Sequence, residues 1–143
     1  MSKPFLFGAI ALCLVTGNAM AQRLKDSEVP AAVKTALMKR YPSATGVGWE
    51  KEKGNYEANW GGKSKEDHSV MFTPDGTFVE MVDAMPVSGL PAGVATYVKT
   101  HYPGAKITEA GKVTDAQGRT RYEAEVKGKD LLFDEKGAFV KID

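Results

Sequence analysis

Cysteine and histidine are both scarce in this sequence. Its 143 residues include one cysteine, Cys13, and two histidines, His68 and His101. A lone cysteine excludes an intramolecular disulfide, and two histidines supply few bases for a nucleophilic triad and few imidazole ligands for a metal ion. We therefore predict that the protein is not an enzyme, with no catalytic residues, no metal site and no cofactor.

An excess of charge of either sign is missing as well. The chain has 19 Lys and Arg residues and 18 Asp and Glu residues, which gives a formal net charge of +1 at pH 7. Proteins that bind nucleic acids need a cationic surface for the phosphates, and the sequence contains no localised basic patch that could supply one. Nucleic acid is therefore not an expected partner.

The sequence has one long apolar run, which lies near the N-terminus over 5–15 and follows Lys3. The run is shorter than the ~20 apolar residues of a membrane-spanning helix, and it leads into Ala-Met-Ala at 19–21, a pattern that signal peptidase recognises. We predict a signal peptide over 1–21, which leaves a periplasmic or secreted chain without a membrane span after cleavage. An uncleaved membrane anchor and a lipoprotein are the alternatives.

The rest of the chain contains an internal repeat. Residues 29–44 and 90–105 lie 61 positions apart and share seven of sixteen residues. The tripeptide Tyr-Glu-Ala occurs at 56–58 and again at 122–124. A duplication of this kind indicates two copies of one structural unit.

Each copy predicts one helix followed by four short strands. In the first copy, Val33, Leu37 and Tyr41 recur at helical spacing, Ser27 is the expected N-cap, and Pro42 ends the helix. Short alternating runs separated by glycine-containing turns follow. The predicted strands are 45–52, 55–61, 68–73 and 77–83 in the first copy and 106–113, 119–127, 129–134 and 138–143 in the second.

These elements predict the fold class. Turns rich in glycine favour antiparallel hairpins, and a helix that precedes each set of strands can cover one face of the sheet. We predict an α+β fold in which two tandem α-β-β-β-β repeats, about 27–85 and 88–143, form a single domain over 22–143. Both helices are expected on one face of the antiparallel sheet.

Alternation along the strands assigns their two faces. In the segments that begin at Tyr56 and Tyr122, the Tyr and Ala side must face the helix, because the Glu belongs in water. The same parity places Val140 and Ile142 in the core and leaves several apolar residues on the opposite, open face. With two charged neighbours, they form the predicted partner-binding surface. Its residues are Met71, Phe78, Leu132, Phe139, Glu80 and Arg121. The alternative is that these apolar residues only cover their own hairpins.

Together these features resemble a known family. The signal peptide, the helical repeats at Val29–Ala44 and Leu90–Ala105, the Tyr-Glu-Ala strands and the hairpins at Phe72–Phe78 and Phe133–Phe139 are similar to those of PepSY-like, beta-lactamase-inhibitor-like exported proteins. The resemblance implies a tandem α-β4 arrangement, an extracytoplasmic location and the binding or inhibition of another protein. We therefore expect a non-enzymatic protein-binding or inhibitor-like module of the cell envelope, with an envelope protein or peptide as its partner. The alternative is a periplasmic protein that binds a small ligand or a metal ion on the open sheet or near His68.

Overall fold

The computed structural model describes residues 21–142. Nearly all of the predicted signal peptide lies outside this range. Within it, the chain forms two α-helices of ten residues each and nine β-strands, which confirms the predicted α+β class. Neither of the helices in this range is long and apolar enough to cross a membrane.

The elements follow one another as predicted, and each predicted strand end lies within three residues of its observed position. The chain starts with β1 (Gln22–Leu24), α1 (Ala31–Arg40), β2 (Gly48–Glu52), β3 (Asn55–Trp60), β4 (His68–Phe72) and β5 (Phe78–Ala84). It continues with α2 (Ala92–His101), β6 (Ile107–Asp115), β7 (Thr120–Val126), β8 (Lys129–Asp134) and β9 (Phe139–Ile142). The sequence did not predict β1, which pairs antiparallel with β2. A strand this short is too brief for a period of two to be visible.

The nine strands belong to one antiparallel sheet whose strand order follows the chain order. This meander is the arrangement that short hairpin connections favour. The described chain divides into two compact units, 21–79 and 80–142, and the boundary lies inside β5. Each unit has its own helix and its own buried core.

In the second unit, α2 packs on β7 and β8. The buried cluster consists of Val94, Val98, Ala124, Val126, Leu131 and Phe133. Ala124 pairs with Leu131 across the two strands, and Tyr122 pairs with Phe133. The Tyr and Ala side of this Tyr-Glu-Ala segment therefore faces the helix, as predicted. Val94 and Val98 lie one helical turn apart, which gives α2 a single apolar face.

The first unit repeats this packing. Its buried helix residues are Val33 and Leu37, which match the two buried valines of α2. Trp49, Ala58 and Val70 are paired side by side across β2, β3 and β4, and all three are buried. The predicted burial of this side of β3 is confirmed.

The predicted N-cap of α1 at Ser27 is wrong. Ser27 lies in a 3-10 turn over Asp26–Glu28, and Pro30 is the N-cap residue of α1, without a side-chain cap. The carbonyl of Pro30 accepts hydrogen bonds from the backbone N–H groups of Val33 and Lys34, at 3.0 Å and 3.2 Å. The proline ring restricts the backbone at this point, so the helix starts without help from a serine side chain.

The last strand is less buried than its alternation predicts. Val140 is 46% exposed and Ile142 is 40% exposed, so neither is buried in the core, although Ile142 stands on the predicted side, paired with the buried Leu131. The reason is that β9 is the final strand of the sheet order and has a strand neighbour on one side only. Side chains on an edge strand lack the lateral cover that central strands receive.

Candidate functional site

Each unit has an open face, which is the sheet face opposite the side that carries the buried core. Strand pairing places Glu57 on this face in the first unit and Glu123 on it in the second. Four of the six predicted binding residues stand on an open face. They are Met71 in the first unit and Leu132, Glu80 and Arg121 in the second.

Phe139 does not lie on the open face. Its ring stacks on Tyr97 of α2 with the centroids 4.4 Å apart, and it meets Phe133 edge to face at 5.9 Å. A β-bulge explains the difference, because Leu132 pairs with Lys141 whereas Phe133 pairs with Phe139. One extra residue in β9 turns the preceding side chains to the other face of the sheet. The predicted open-face position of Phe139 is wrong.

Phe78, the first residue of β5, also turns its ring to the helix side, although it has the same parity as Glu80. Its ring meets the buried ring of Phe72 edge to face at 6.2 Å, and the guanidinium carbon of Arg40 lies 3.8 Å from its centroid. Arg40 is the last residue of α1, so this cation–π contact ties the start of β5 to the end of the helix. The predicted open-face position of Phe78 is therefore wrong as well.

These contacts predict a structural cost for Phe139→Ala. We expect this variant to lower the free energy of unfolding by about 1–3 kcal/mol, because it removes apolar contact and a stacked aromatic pair from α2. Urea denaturation measures the effect. Val140→Ala in the same strand is the control and should change the stability by about 0.5 kcal/mol or less. An unchanged midpoint for Phe139→Ala would place its ring in solvent.

The open face of the first unit is acidic. Glu50 and Glu52 of β2 stand on the same face as Glu57 of β3. Glu57 is buried and accepts a hydrogen bond from the hydroxyl of Ser69. Burial raises the pKa of Glu57 to about 7, and the hydrogen bond from Ser69 opposes the shift. This buried environment is not the predicted one, because alternation with Tyr and Ala predicts a solvated glutamate.

The open face of the second unit has buried apolar residues beside its charged ones. Val82 pairs with Val113, and both are buried together with Leu132. Gly111 of β6 stands opposite Glu123, and a Cβ at Gly111 would lie 2.7 Å from Cγ1 of Val82. Because Gly111 has no side chain, the side chain of Val82 can occupy the space above it. Val82 and Val113 were not among the predicted binding residues, although their shared parity with Leu132 was a usable signal.

Two further polar side chains, His68 of the alternative ligand site and Asp115, lie at the start of one strand and at the end of another. His68 starts β4, and its ring lies 5.3 Å from the ring of Trp60 in β3. Asp115 accepts hydrogen bonds from the backbone N–H groups of Gln117 and Arg119 at 3.0 Å and 2.9 Å, so its carboxylate closes a turn. Between residues 21 and 142, no group of three or more His, Cys, Asp or Glu side chains is placed to hold a metal ion.

The sequence also matches a known protein family. The model of the family described as "Putative beta-lactamase-inhibitor-like, PepSY-like" matches residues 17–80 and again residues 59–141. The chain belongs to this family. The double match agrees with tandem PepSY-like repeats and confirms the resemblance predicted from the sequence. A search of curated proteins finds no match.

Several solved structures from Bacteroides have the same fold. One from Bacteroides eggerthii, described as "putative periplasmic proteins", is 24% identical with a TM-score of 0.67, and the match covers 80% of this chain and 88% of that chain. A DUF2874 family protein from Bacteroides uniformis is 23% identical with a TM-score of 0.67, with coverage of 80% and 88%. A BLIP-like protein from Bacteroides fragilis is 24% identical with a TM-score of 0.60, with coverage of 80% and 85%. These similarities show a shared fold.

Proposed function

We propose that the protein is a non-enzymatic, periplasmic binding module that restrains an envelope protein or peptide by inhibitor-like contact. Its membership of a beta-lactamase-inhibitor-like family supports the inhibitor-like role. The descriptions of two structural neighbours, as a periplasmic protein and as a BLIP-like protein, support the location and the mode of action.

The open face of the second unit is the observation that carries this proposal. Val82, Val113 and Leu132 form an apolar row across β5, β6 and β8, with the charged residues of β7 between the last two, and each is only 4–8% exposed. On the opposite side of the sheet, α2 packs on β7 and β8. Glu80 and Arg121 stand on the same face and provide charges of both signs. An apolar centre with charged neighbours is the usual anatomy of a protein-binding surface, in which the charges set orientation and association rate.

Site-specific photocrosslinking in cells of the source organism tests this surface. We expect a photoreactive residue at Arg121, on the open face, to yield a discrete crosslinked product. The same residue at Met38 of α1, which is 51% exposed, is the control and should not yield it. Equal products from both positions, or no product from Arg121, would contradict the proposed surface.

A second variant tests the apolar row through the same product. Leu132→Ser at the β8 end of the row should reduce the yield of the Arg121 crosslink about tenfold, as expected for an anchor residue whose loss costs ~1.4 kcal/mol of binding. Circular dichroism must show that this variant remains folded. A folded Leu132→Ser protein with full crosslinking would place the contact elsewhere.

The family description also suggests one partner to test directly. The rate of β-lactam hydrolysis by a purified β-lactamase, measured with and without an excess of this protein, distinguishes that enzyme from another envelope protein. Inhibition that Leu132→Ser weakens would identify a β-lactamase as the partner. An unchanged rate would exclude the enzyme tested and leave the crosslinked product to be identified by mass spectrometry.

A further inference from the structure

The open face of the first unit contains a carboxylate pair that the proposed binding role does not use. Glu50 lies directly opposite Glu57 in the β2–β3 pairing, and Glu52 stands two residues further along β2 on the same side. Like charges directly opposite in an antiparallel sheet destabilise the pairing. Because Glu57 is only 5% exposed, water screens this repulsion poorly.

The other strands and the nearby loop place few compensating groups beside Glu57. On β4, the hydroxyl of Ser69 donates to Oε1 of Glu57, and Met71 stands opposite Glu57. On β1, Nε of Arg23 lies 3.7 Å from Oε1 of Glu50, but the arginine side chain is 91% exposed. Glu66, in the loop between β3 and β4, adds another carboxylate whose charge acts on Glu50.

We propose that the Glu50–Glu57 pair is a proton switch built into the first unit. With a proton on Glu57, the hydroxyl of Ser69 and the neutral carboxyl group let β2, β3 and β4 pack closely. When Glu57 loses the proton, two opposed carboxylates and Glu52 repel one another, and this part of the sheet loosens. The switch depends on the fold of the first unit and does not require a partner.

The direction of the pH dependence follows from the environment of Glu57. The pKa of Glu57 is raised from 4.5 to about 7, chiefly by burial; hydrogen bonds to the side chains of Ser69 and Asn59 oppose this shift, and the charges of Glu52 and Glu50 add to it. The folded state therefore holds the proton more tightly than the unfolded state, in which the pKa is near 4.5. The stabilising contribution is complete below pH 4.5 and is lost as the pH rises to 7. A pKa difference of this size corresponds to roughly a 300-fold change in the unfolding equilibrium.

The second unit supplies a matched control. Glu123 occupies the same position in its Tyr-Glu-Ala segment and is also buried. It stands opposite Gly111 on β6 and Leu132 on β8, and neither of these residues carries a carboxylate. The opposed carboxylate pair is thus a feature of the first copy of the repeat at this position.

Titration of the Glu57 carboxyl carbon by NMR tests the switch in the full mature chain. We expect its midpoint near pH 7, as the environment of Glu57 predicts. Glu50→Gln should lower that midpoint, and Glu123→Gln should leave it unchanged. A midpoint of about 4.5 in the parent protein, the value of an ordinary glutamate, would overturn the proposal.

Hydrogen exchange connects the titration to the packing of the strands. After correction for the intrinsic exchange rate, backbone amides of β2, β3 and β4 should open more often at pH 8 than at pH 6. In Glu57→Gln, which remains neutral at both values, this difference should disappear, and Glu50→Gln provides a second test if that variant is poorly folded. Equal protection at both pH values in the parent protein would also overturn the switch.

Discussion

Phe133→Ala is expected to lower the free energy of unfolding by about 3–5 kcal/mol. The side chain is fully buried, and it packs in the cluster that α2 forms with β7 and β8. Its ring also meets Tyr97 and Phe139 edge to face, at 5.5 Å and 5.9 Å. Truncation removes the apolar contact and leaves a cavity that three neighbouring elements cannot all move to fill.

The corresponding phenylalanine of the first unit should behave in the same way. Phe72 is also fully buried, so Phe72→Ala should cost a similar amount. Urea denaturation followed by circular dichroism measures both variants, and Met38→Ala on the exposed side of α1 is the control. Midpoints close to that of the control for either phenylalanine variant would show that the core assignment is wrong.

Gly137→Ala is expected to destabilise the protein by about 2–4 kcal/mol, because it combines backbone strain with a steric clash. Gly137 has φ +84°, and a Cβ there would lie 2.8 Å from Cβ of Pro91. From the side of the helix, a Cβ at Gly93 would lie 2.7 Å from the carbonyl oxygen of Gly137. The β8–β9 hairpin therefore packs directly on the first turn of α2.

The same contact exists in the first unit, which explains why the glycine recurs in both copies. Gly76 has φ +85°, and a Cβ there would lie 2.7 Å from the carbonyl oxygen of Ala32 in α1. Both copies thus use a glycine to bring the hairpin against the backbone of the helix. An alanine in either place would have to push the helix away from the sheet.

A glycine in open space, Gly128, separates the backbone strain from the steric clash that Gly137→Ala combines. Gly128 also has a positive φ, +71°, but a Cβ there would meet nothing within 4 Å. Gly128→Ala should therefore cost only the backbone strain, about 1–2 kcal/mol. The excess for Gly137→Ala over Gly128→Ala, measured in the same urea series, reports the close approach to α2. Equal losses for the two variants would exclude a tight contact.

Local chemistry made the elements of this protein predictable. Pro42 and Pro103 end the two helices, and the period of two in β3 and β7 identifies the side that meets the core. These signals depend on neighbours a few residues away, so a single sequence contains them in full. The internal repeat strengthens the prediction of these elements, because the same pattern occurs in both copies.

The ends of the strands were not predictable in this way. Phe139 changes face because of one extra residue opposite Leu132 and Phe133, and a bulge of this kind has no reliable pattern in the sequence. Val140 is the extra residue of this bulge, and Ile142 stands on the core side but is exposed because β9 is an edge. Strand order and register, which involve distant parts of the chain, decide both outcomes.

Glu57 and Glu123 illustrate the same limit. Both belong to identical Tyr-Glu-Ala segments, and the sequence alone predicts the same solvated role for each. Pairing across the sheet places a carboxylate opposite Glu57 and a glycine opposite Glu123. The segment itself determines which face a side chain takes, because successive residues of a strand point to opposite sides. The electrostatic environment of that side chain comes from neighbouring strands, which only the folded sheet brings into contact.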